Sequence, residues 1–257
     1  MKNKIIFSVI TPVLNSEKFI KKNLLSIKQQ SFQNFEHIIV DGGSKDKTIE
    51  IIKKYRNKKT RVIIKKDKNL WEAINNGIKI SQGKYLCVLN SDDYFYKNAL
   101  ETIYKYFKKN NNLSYIFGAV RKNNRILYRL EKEKIYYKFN VYPSHSVSFF
   151  IKNDIQKKLG YYNTDLDICS DYDLFFKLFN KKNIYGTNTK KKEVIGFFRP
   201  GGLSEKISIT KKLFYEFKIR YKNNQNIFYL ILLLHLTLLN IIKNLILKFF
   251  LKSFKNF

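Results

Sequence analysis

Carboxylates are scarce in this sequence: 20 Asp and Glu stand against 50 Lys and Arg among 257 residues. An acidic pair at the end of an apolar run is therefore the first candidate for chemistry. Asp92-Asp93 follows the apolar stretch 85–89. Two adjacent carboxylates in that position suit a hard divalent cation, which takes oxygen ligands and usually adds phosphate oxygens and water. The plain alternative is that Ser91-Asp92-Asp93 caps a helix beginning near Lys97. Asp41, followed by Gly42-Gly43-Ser44, reads by itself as a turn with Ser44 or Asp46 as helix cap, and Ser170-Asp171 reads as the start of another helix.

The elements that must position these residues alternate. Residues 5–10, 37–40, 61–64 and 85–89 are β-rich apolar runs, and the segments 16–30, 48–55 and 70–81 between them carry apolar residues at helical spacing. Alternation of this kind predicts an α/β fold, a mostly parallel doubly wound sheet with helices on both faces. Ligands in such sheets lie beyond the carboxyl ends of the strands, where Asp41 and Asp92-Asp93 fall. Farther on, 114–120, 144–150 and 194–198 read as strands, and 154–159 and 171–179 as helices.

Composition narrows the classes. With 44% hydrophobic and 16% aromatic residues the chain can bury a sizeable core, which excludes a disordered polycation. Cys87 and Cys169 stand far apart and outside any CxxC pair, which excludes a disulfide scaffold and a cysteine zinc site and fits a reducing compartment. The apolar stretch 5–14 is broken by Thr11-Pro12 and does not read as a signal peptide. A net charge of +30 would favour nucleic acid, an anionic membrane or phosphorylated substrates, or else reflects a compositional bias toward Lys. The lysines are dispersed and no nucleic-acid-binding motif occurs, so nucleic acid is not expected as a partner.

The tail changes character. Residues 223–242 hold no Lys, Arg, Asp or Glu, while Thr237, Asn240, Asn244, Lys248, Lys252 and Lys255 recur at steps of three or four. The run is borderline in length for a membrane span, and its polar interruptions and basic flanks on both sides argue against one. One polar stripe on an apolar helix predicts a helix lying in a membrane interface, the other alternative being one docked on the protein or on a second copy. The expected division is a catalytic domain over 1–220 and an amphipathic helical tail over 221–257. Self-association is left open.

Four motifs then occur in order: Thr11-Pro12-Val13-Leu14-Asn15, Val40-Asp41-Gly42-Gly43-Ser44-Lys45-Asp46-Lys47-Thr48, Asp67-Lys68-Asn69-Leu70-Trp71-Glu72-Ala73-Ile74-Asn75-Asn76-Gly77, and Leu89-Asn90-Ser91-Asp92-Asp93. This succession resembles the family 2 glycosyltransferases of the GT-A (Rossmann-like) fold, in the bacterial surface-polysaccharide, colanic-acid-type branch. The resemblance continues through Ser144-His145-Ser146, Gly160-Tyr161-Tyr162, Ser170-Asp171-Tyr172-Asp173-Leu174 and Gly201-Gly202-Leu203-Ser204, and covers about residues 5–220.

The resemblance implies an inverting, metal-dependent transferase. It would move a sugar from a nucleotide-diphosphate donor, a UDP-sugar foremost, to a glycan or lipid-linked acceptor at the inner face of the plasma membrane. By the same resemblance Thr11, Pro12, Asn15 and Asn75 line the donor side, Asp41 meets the base edge and Asp67 lies near the nucleoside. Asp92 holds the ribose side, Asp93 ligates Mn²⁺ or Mg²⁺, and His145 stands near the donor or acceptor. Asp171 is the implied catalytic base, with Asp173 the competing assignment. Arg199 and Lys206 flank Gly201-Gly202 as candidates to close over phosphate. Five positions depart from the family pattern: Asn69 for Gly, Trp71-Glu72 for Tyr-Asp, Leu14 for Tyr, and Ser170 for Glu. The chemistry needs these residue types, because a departing diphosphate requires neutralisation and an acceptor hydroxyl requires a base. A sugar-phosphate nucleotidyltransferase is the alternative enzyme, but it would want a Gly-rich basic loop where Thr11-Pro12-Val13-Leu14-Asn15 stands.

Overall fold

A computed structural model describes residues 4–128, 132–139, 145–166, 168–202 and 207–253, with side chains described up to 247. In chain order the elements are β1 (Phe7–Val13), α1 (Ile20–Lys28), β2 (Phe35–Asp41), α2 (Thr48–Tyr55), β3 (Thr60–Ile64), α3 (Leu70–Ile80), β4 (Tyr85–Val88), β5 (Tyr94–Phe95), α4 (Ala99–Lys109), β6 (Leu113–Phe117), β7 (Ala119–Lys122), β8 (Arg125–Leu127), α5 (Lys134–Tyr137), β9 (Phe149–Lys152), α6 (Asn153–Leu159), α7 (Ser170–Asn180), β10 (Tyr185–Asn188), β11 (Val194–Phe197), α8 (Ile209–Lys222) and α9 (Ile227–Ser253).

The main sheet has seven strands in the order β10-β6-β9-β4-β1-β2-β3, and a four-stranded sheet, β5-β11-β7-β8, stands beside it. β4, β1, β2 and β3 run parallel, as expected of helical crossovers, and β9 runs antiparallel between β4 and β6. Every residue of β1 and β2 is buried, which fits strands covered on both faces. α3 crosses one face so closely that a Cβ at Gly77 would come within 2.4 Å of Ile10 Cγ2.

β1 runs three residues past the predicted end, through Pro12 to Val13. The hydrogen-bond alternation explains how a proline fits. The Ile10 carbonyl accepts from Leu89 on the β4 side, and the Val13 carbonyl accepts from Gly42 on the β2 side. Pro12 therefore turns its missing N–H toward β4, where pairing has already ended at Ile10–Val88. The predicted strand 114–120 is two strands in two sheets. They part at Gly118, where a Cβ would lie 2.2 Å from Ile195. Of the predicted strand 144–150, residue 144 lies outside the described residues, Ser146–Ser148 form a 3-10 turn, and β9 begins at Phe149.

The tail is helical. Leu230 and Leu233 of α9 are buried with Leu213 of α8 and Phe139. Residues 227–247 are long and apolar enough to cross a membrane, and 11% of their most apolar stretch is buried. Thr237 lies on the docked face and donates to the Leu233 carbonyl (2.7 Å). The side chains of Lys248, Lys252 and Lys255 are outside the described ones.

Candidate active site

The carboxyl ends of β1, β2 and β4 are stitched into one rim by short polar side chains. Ser16, just after β1, takes an N–H···O bond to Thr48 Oγ1 (2.7 Å) and meets Ser91 Oγ at 2.8 Å. It thereby joins the loops that follow all three strands. Asn15 adopts a left-handed backbone (φ 48), a conformation Asn tolerates. Its N–H donates to Ser44 Oγ and its Oδ1 accepts from the Lys45 N–H, both at 2.9 Å.

Asp92 and Asp93 stand at the centre of this rim. Asn23 donates from Nδ2 to the carbonyls of Asn90 (2.9 Å) and Asp93 (3.1 Å), fixing the loop from beneath. Asp93 is 1% exposed. Its Oδ1 accepts from the Arg199 N–H (2.9 Å), while its Oδ2 is buried with no hydrogen-bond partner. Burial first, and then the charge of Asp92, push the Asp93 carboxyl well above the usual carboxylate range. Asp92 Oδ2 accepts from both Nε (3.1 Å) and Nη2 (3.0 Å) of Arg199, whose guanidinium stacks 4.2 Å from the Phe19 ring. Gly202 adjoins the same oxygen, since a Cβ there would lie 3.8 Å from it. His145 joins the group, its ring 3.5 Å from that of Phe198 and its Nδ1 3.3 Å from Ser146 Oγ, which in turn accepts from Asn90.

A second wall rises from the start of α3. Asn69 caps that helix, accepting from the N–H groups of Trp71 and Glu72, and donates from Nδ2 to the Thr164 carbonyl (2.8 Å). Trp71 stacks on Tyr162 at 5.4 Å and 11°. Asp67 Oδ1 accepts from Asn76 (2.7 Å) and its Oδ2 is buried without a partner; burial raises its pKa. The 162–166 segment leads to α7, where Cys169 takes a left-handed backbone (φ 65) immediately before Ser170 and Asp171. Asp171 is half-buried in the first turn of α7, with Oδ1 accepting from the Tyr172 N–H (2.9 Å). Burial lifts its pKa to about 6, the Lys212 charge pulling weakly the other way. Its own charge in turn raises the pKa of Tyr162, so the two groups are neighbours.

Three expected donor contacts are otherwise engaged. Asn75 pairs both ways with the Tyr162 backbone, Nδ2 to the carbonyl (2.8 Å) and Oδ1 from the N–H (2.9 Å), so its amide ties α3 to the 162–166 segment. Asp41 is fully buried; its Oδ1 accepts from the N–H groups of Gly43 and Ser44 and its Oδ2 from Ser44 Oγ, so it shapes the turn. Thr11, also fully buried, meets His37 Nε2 at 3.0 Å, and burial lowers the pKa of that histidine to about 3, leaving it neutral. Pro12 is buried in β1. Asp173 pairs with Lys177 (2.6 Å) and accepts from Asn223, a structural tie rather than an open carboxylate. Lys206, Leu203 and Ser204 lie outside the described residues.

One contributor and one pairing escaped the sequence reading. Asn23 falls on the apolar stripe Ile20-Asn23-Leu24-Ile27 of α1, and a polar residue on a buried face was a legible signal. The pairing of Arg199 with Asp92 spans 107 residues and left no local mark.

A GT-A fold with an acidic pair at the strand ends is the class these features define. The family model of Glycosyl transferase family 2 matches residues 8–184, and the chain belongs to that family. It is 32% identical over 189 residues to an uncharacterized glycosyltransferase of Methanocaldococcus jannaschii, covering 68% of this chain and 65% of the relative. It is 27% identical to a PGL/p-HBAD biosynthesis glycosyltransferase of Mycobacterium bovis, covering 78% of this chain and 80% of that one. The match to an uncharacterized glycosyltransferase of Rickettsia prowazekii spans 60% of that relative's length. Among solved structures, S. aureus TarS 1–349 in complex with UDP-GlcNAc superposes with a TM-score of 0.69 at 20% identity, covering 91% of this chain and 71% of the other. Mannosyltransferase PcManGT from Pyrobaculum calidifontis, in complex with GDP-Man and Mn²⁺, gives 0.67 at 16% identity, covering 89% and 68%.

Proposed function

We propose that the protein is an inverting glycosyltransferase that moves a sugar from a nucleotide-diphosphate donor, a UDP-sugar, to a hydroxyl of a glycan or lipid-linked acceptor in surface-polysaccharide synthesis. The observation that carries this reading is the Asp92-Asp93 pair at the sheet rim, with Asp93 Oδ2 buried and unpartnered. A buried carboxylate oxygen without a donor is costly unless a cation or proton meets it. The donor set fits Mn²⁺ or Mg²⁺, because both residues offer hard oxygen ligands. Among the described residues no cluster of three or more His, Cys, Asp or Glu could hold a metal, so diphosphate oxygens and water would complete the shell. When bound, such a cation supplies charge neutralisation for the departing nucleoside diphosphate.

Asp171 is the residue proposed to take the acceptor's proton. The acceptor oxygen bonds to the anomeric carbon as the carbon–phosphate-oxygen bond breaks, and the hydroxyl proton passes to an Asp171 carboxylate oxygen. A pKa near 6 leaves the group ionised at neutral pH yet a better base than an ordinary aspartate. Arg199, stacked on Phe19, is proposed to neutralise Asp92 until the donor arrives, and then to turn toward the diphosphate. Asn15, Asp41 and Thr11 would shape the nucleoside cleft through the backbone they hold, with Asp67 and His145 at its margins. The basic, apolar tail supports attachment to the inner face of the plasma membrane, as a unit distinct from the catalytic domain.

Transfer or hydrolysis of radiolabelled nucleotide sugars with and without Mn²⁺ tests the reading. Metal-dependent sugar release, lost in Asp93→Ala and Asp171→Ala, is expected. Full activity in either variant overturns that residue's assignment.

A further inference from the structure

We propose that the cavity at the corner between α8 and α9 holds the phosphate of an anionic membrane lipid, and that the bilayer it belongs to covers the outward faces of both helices. This deepens the membrane-attachment reading above and is independent of the transfer chemistry. The cavity, of about 570 Å³, is ringed by Lys158 of α6, Lys177 and Lys181 at the end of α7, Lys222 of α8 and the turn Asn223-Asn224-Gln225. Lys177 is neutralised by Asp173 (2.6 Å), and Asn223 donates to the second oxygen of that carboxylate (3.2 Å). Among the described residues Lys158, Lys181 and Lys222 have no carboxylate partner, so three exposed lysines line one concavity whose lining holds no acidic residue. Phosphate oxygens accept from ammonium donors well, and an anion there would balance that charge. The site is separate from the rim, because Lys181 follows Asp171 by ten residues of helix and extended turn, about 15 Å.

The surrounding surface identifies the source of the phosphate. Lys222 shares one face of α8 with Lys211, Lys218, Phe214 and Tyr221, and the two rings are 64% and 59% exposed. Aromatic rings among lysines are the composition of a membrane interface. α9 opens two residues after Gln225. Its face opposite Leu230, Leu233 and Leu234 carries Phe228, Ile231, Leu232, Leu239, Ile242 and Ile246, all exposed, together with His235 and Lys243. A soluble phosphate would account for the lysines but would leave that apolar face uncovered.

The test uses the full chain sedimented with phosphatidylcholine vesicles, with and without phosphatidylglycerol. The variant Lys158→Glu/Lys181→Glu/Lys222→Glu is compared with Lys28→Glu/Lys53→Glu/Lys108→Glu, which changes the net charge equally on exposed residues elsewhere. Wild type and the control triple are expected to bind phosphatidylglycerol vesicles, and the cavity triple at least about tenfold more weakly, while donor hydrolysis by the cavity triple equals that of wild type. The Lys→Gln triple, with the same expected direction, is read if the Glu triple loses its cooperative melt. Equal binding by both triples, equal wild-type binding to phosphatidylcholine alone, or thermal stabilisation by inorganic phosphate without vesicle binding each overturns the proposal. A chain that binds vesicles as expected yet hydrolyses no nucleotide sugar leaves this proposal standing and removes the catalytic one.

Discussion

Replacing Asp171 by Asn isolates the charge of the proposed base with almost no change of shape. In the folded chain the carboxyl titrates near 6 because burial disfavours its anion, against 3.8 for the ordinary group. The native state therefore binds the proton more tightly than the unfolded chain, and the ionised group opposes folding. The difference of about 2.2 pH units corresponds to roughly 3 kcal/mol of lost stability above pH 7, shrinking to under about 1 kcal/mol by pH 4. Asp171→Asn is expected to keep the contact from the Tyr172 N–H through its carbonyl oxygen. It should melt higher than wild type at pH 8 by roughly 2–4 °C per kcal/mol recovered, and the gap should close on acidification. The same variant should lose about 10²–10⁴ in sugar transfer, and wild-type turnover should fall with acid along a limb near pH 6. Differential scanning calorimetry across pH, paired with the transfer assay, measures both effects. A melting difference that does not vary with pH, or an active Asn variant, refutes the reasoning.

Other expectations follow from the same contacts. Arg199→Ala removes a cation that competes for Asp92; the pair is partly exposed, so about 1 kcal/mol, or roughly fivefold tighter Mn²⁺ binding without donor, is expected by calorimetric titration, and unchanged affinity contradicts the competition. Asn75→Ala strips two buried hydrogen bonds from the Tyr162 backbone and should cost about 2–4 kcal/mol in chemical denaturation, with kcat reduced less than in Asp171→Asn; a variant of native stability refutes the tie. His37, neutral with its pKa lowered to about 3 by burial, contributes stability that is full above pH 6.5 and is lost as pH falls toward 3. His37→Gln should flatten that acid limb in urea titrations, and an unchanged limb assigns it elsewhere.

The four parallel strands and the three helices between them were legible because each strand carries an apolar run and each helix an apolar stripe, although β3, at the sheet edge, leaves Ile64 exposed. Residues that end up wholly local, such as Asp41 with Gly43 and Ser44, carry their turn in four consecutive letters. Their orientation is another matter. Asn75 reads as a polar residue on a helix near a cleft, but its amide matches the two backbone groups of Tyr162, 87 residues away. Pro12 argues against a strand until the end of the β4 pairing is known. The small sheet was poorly visible, because β5 and β8 have two and three residues and β11 meets β5 and β7 across about 100 and about 75 residues of chain, only β7 and β8 being neighbours in sequence. The tail's polar stripe was visible, but which face meets α8 depends on Leu213 and Phe139.

A structure of the chain grown with UDP and Mn²⁺, with anomalous scattering recorded for manganese, tests the central claim most directly. The account predicts one manganese peak in contact with Asp93 and beside the bound diphosphate, with the Arg199 guanidinium withdrawn from Asp92. Manganese or diphosphate bound away from both aspartates would contradict it.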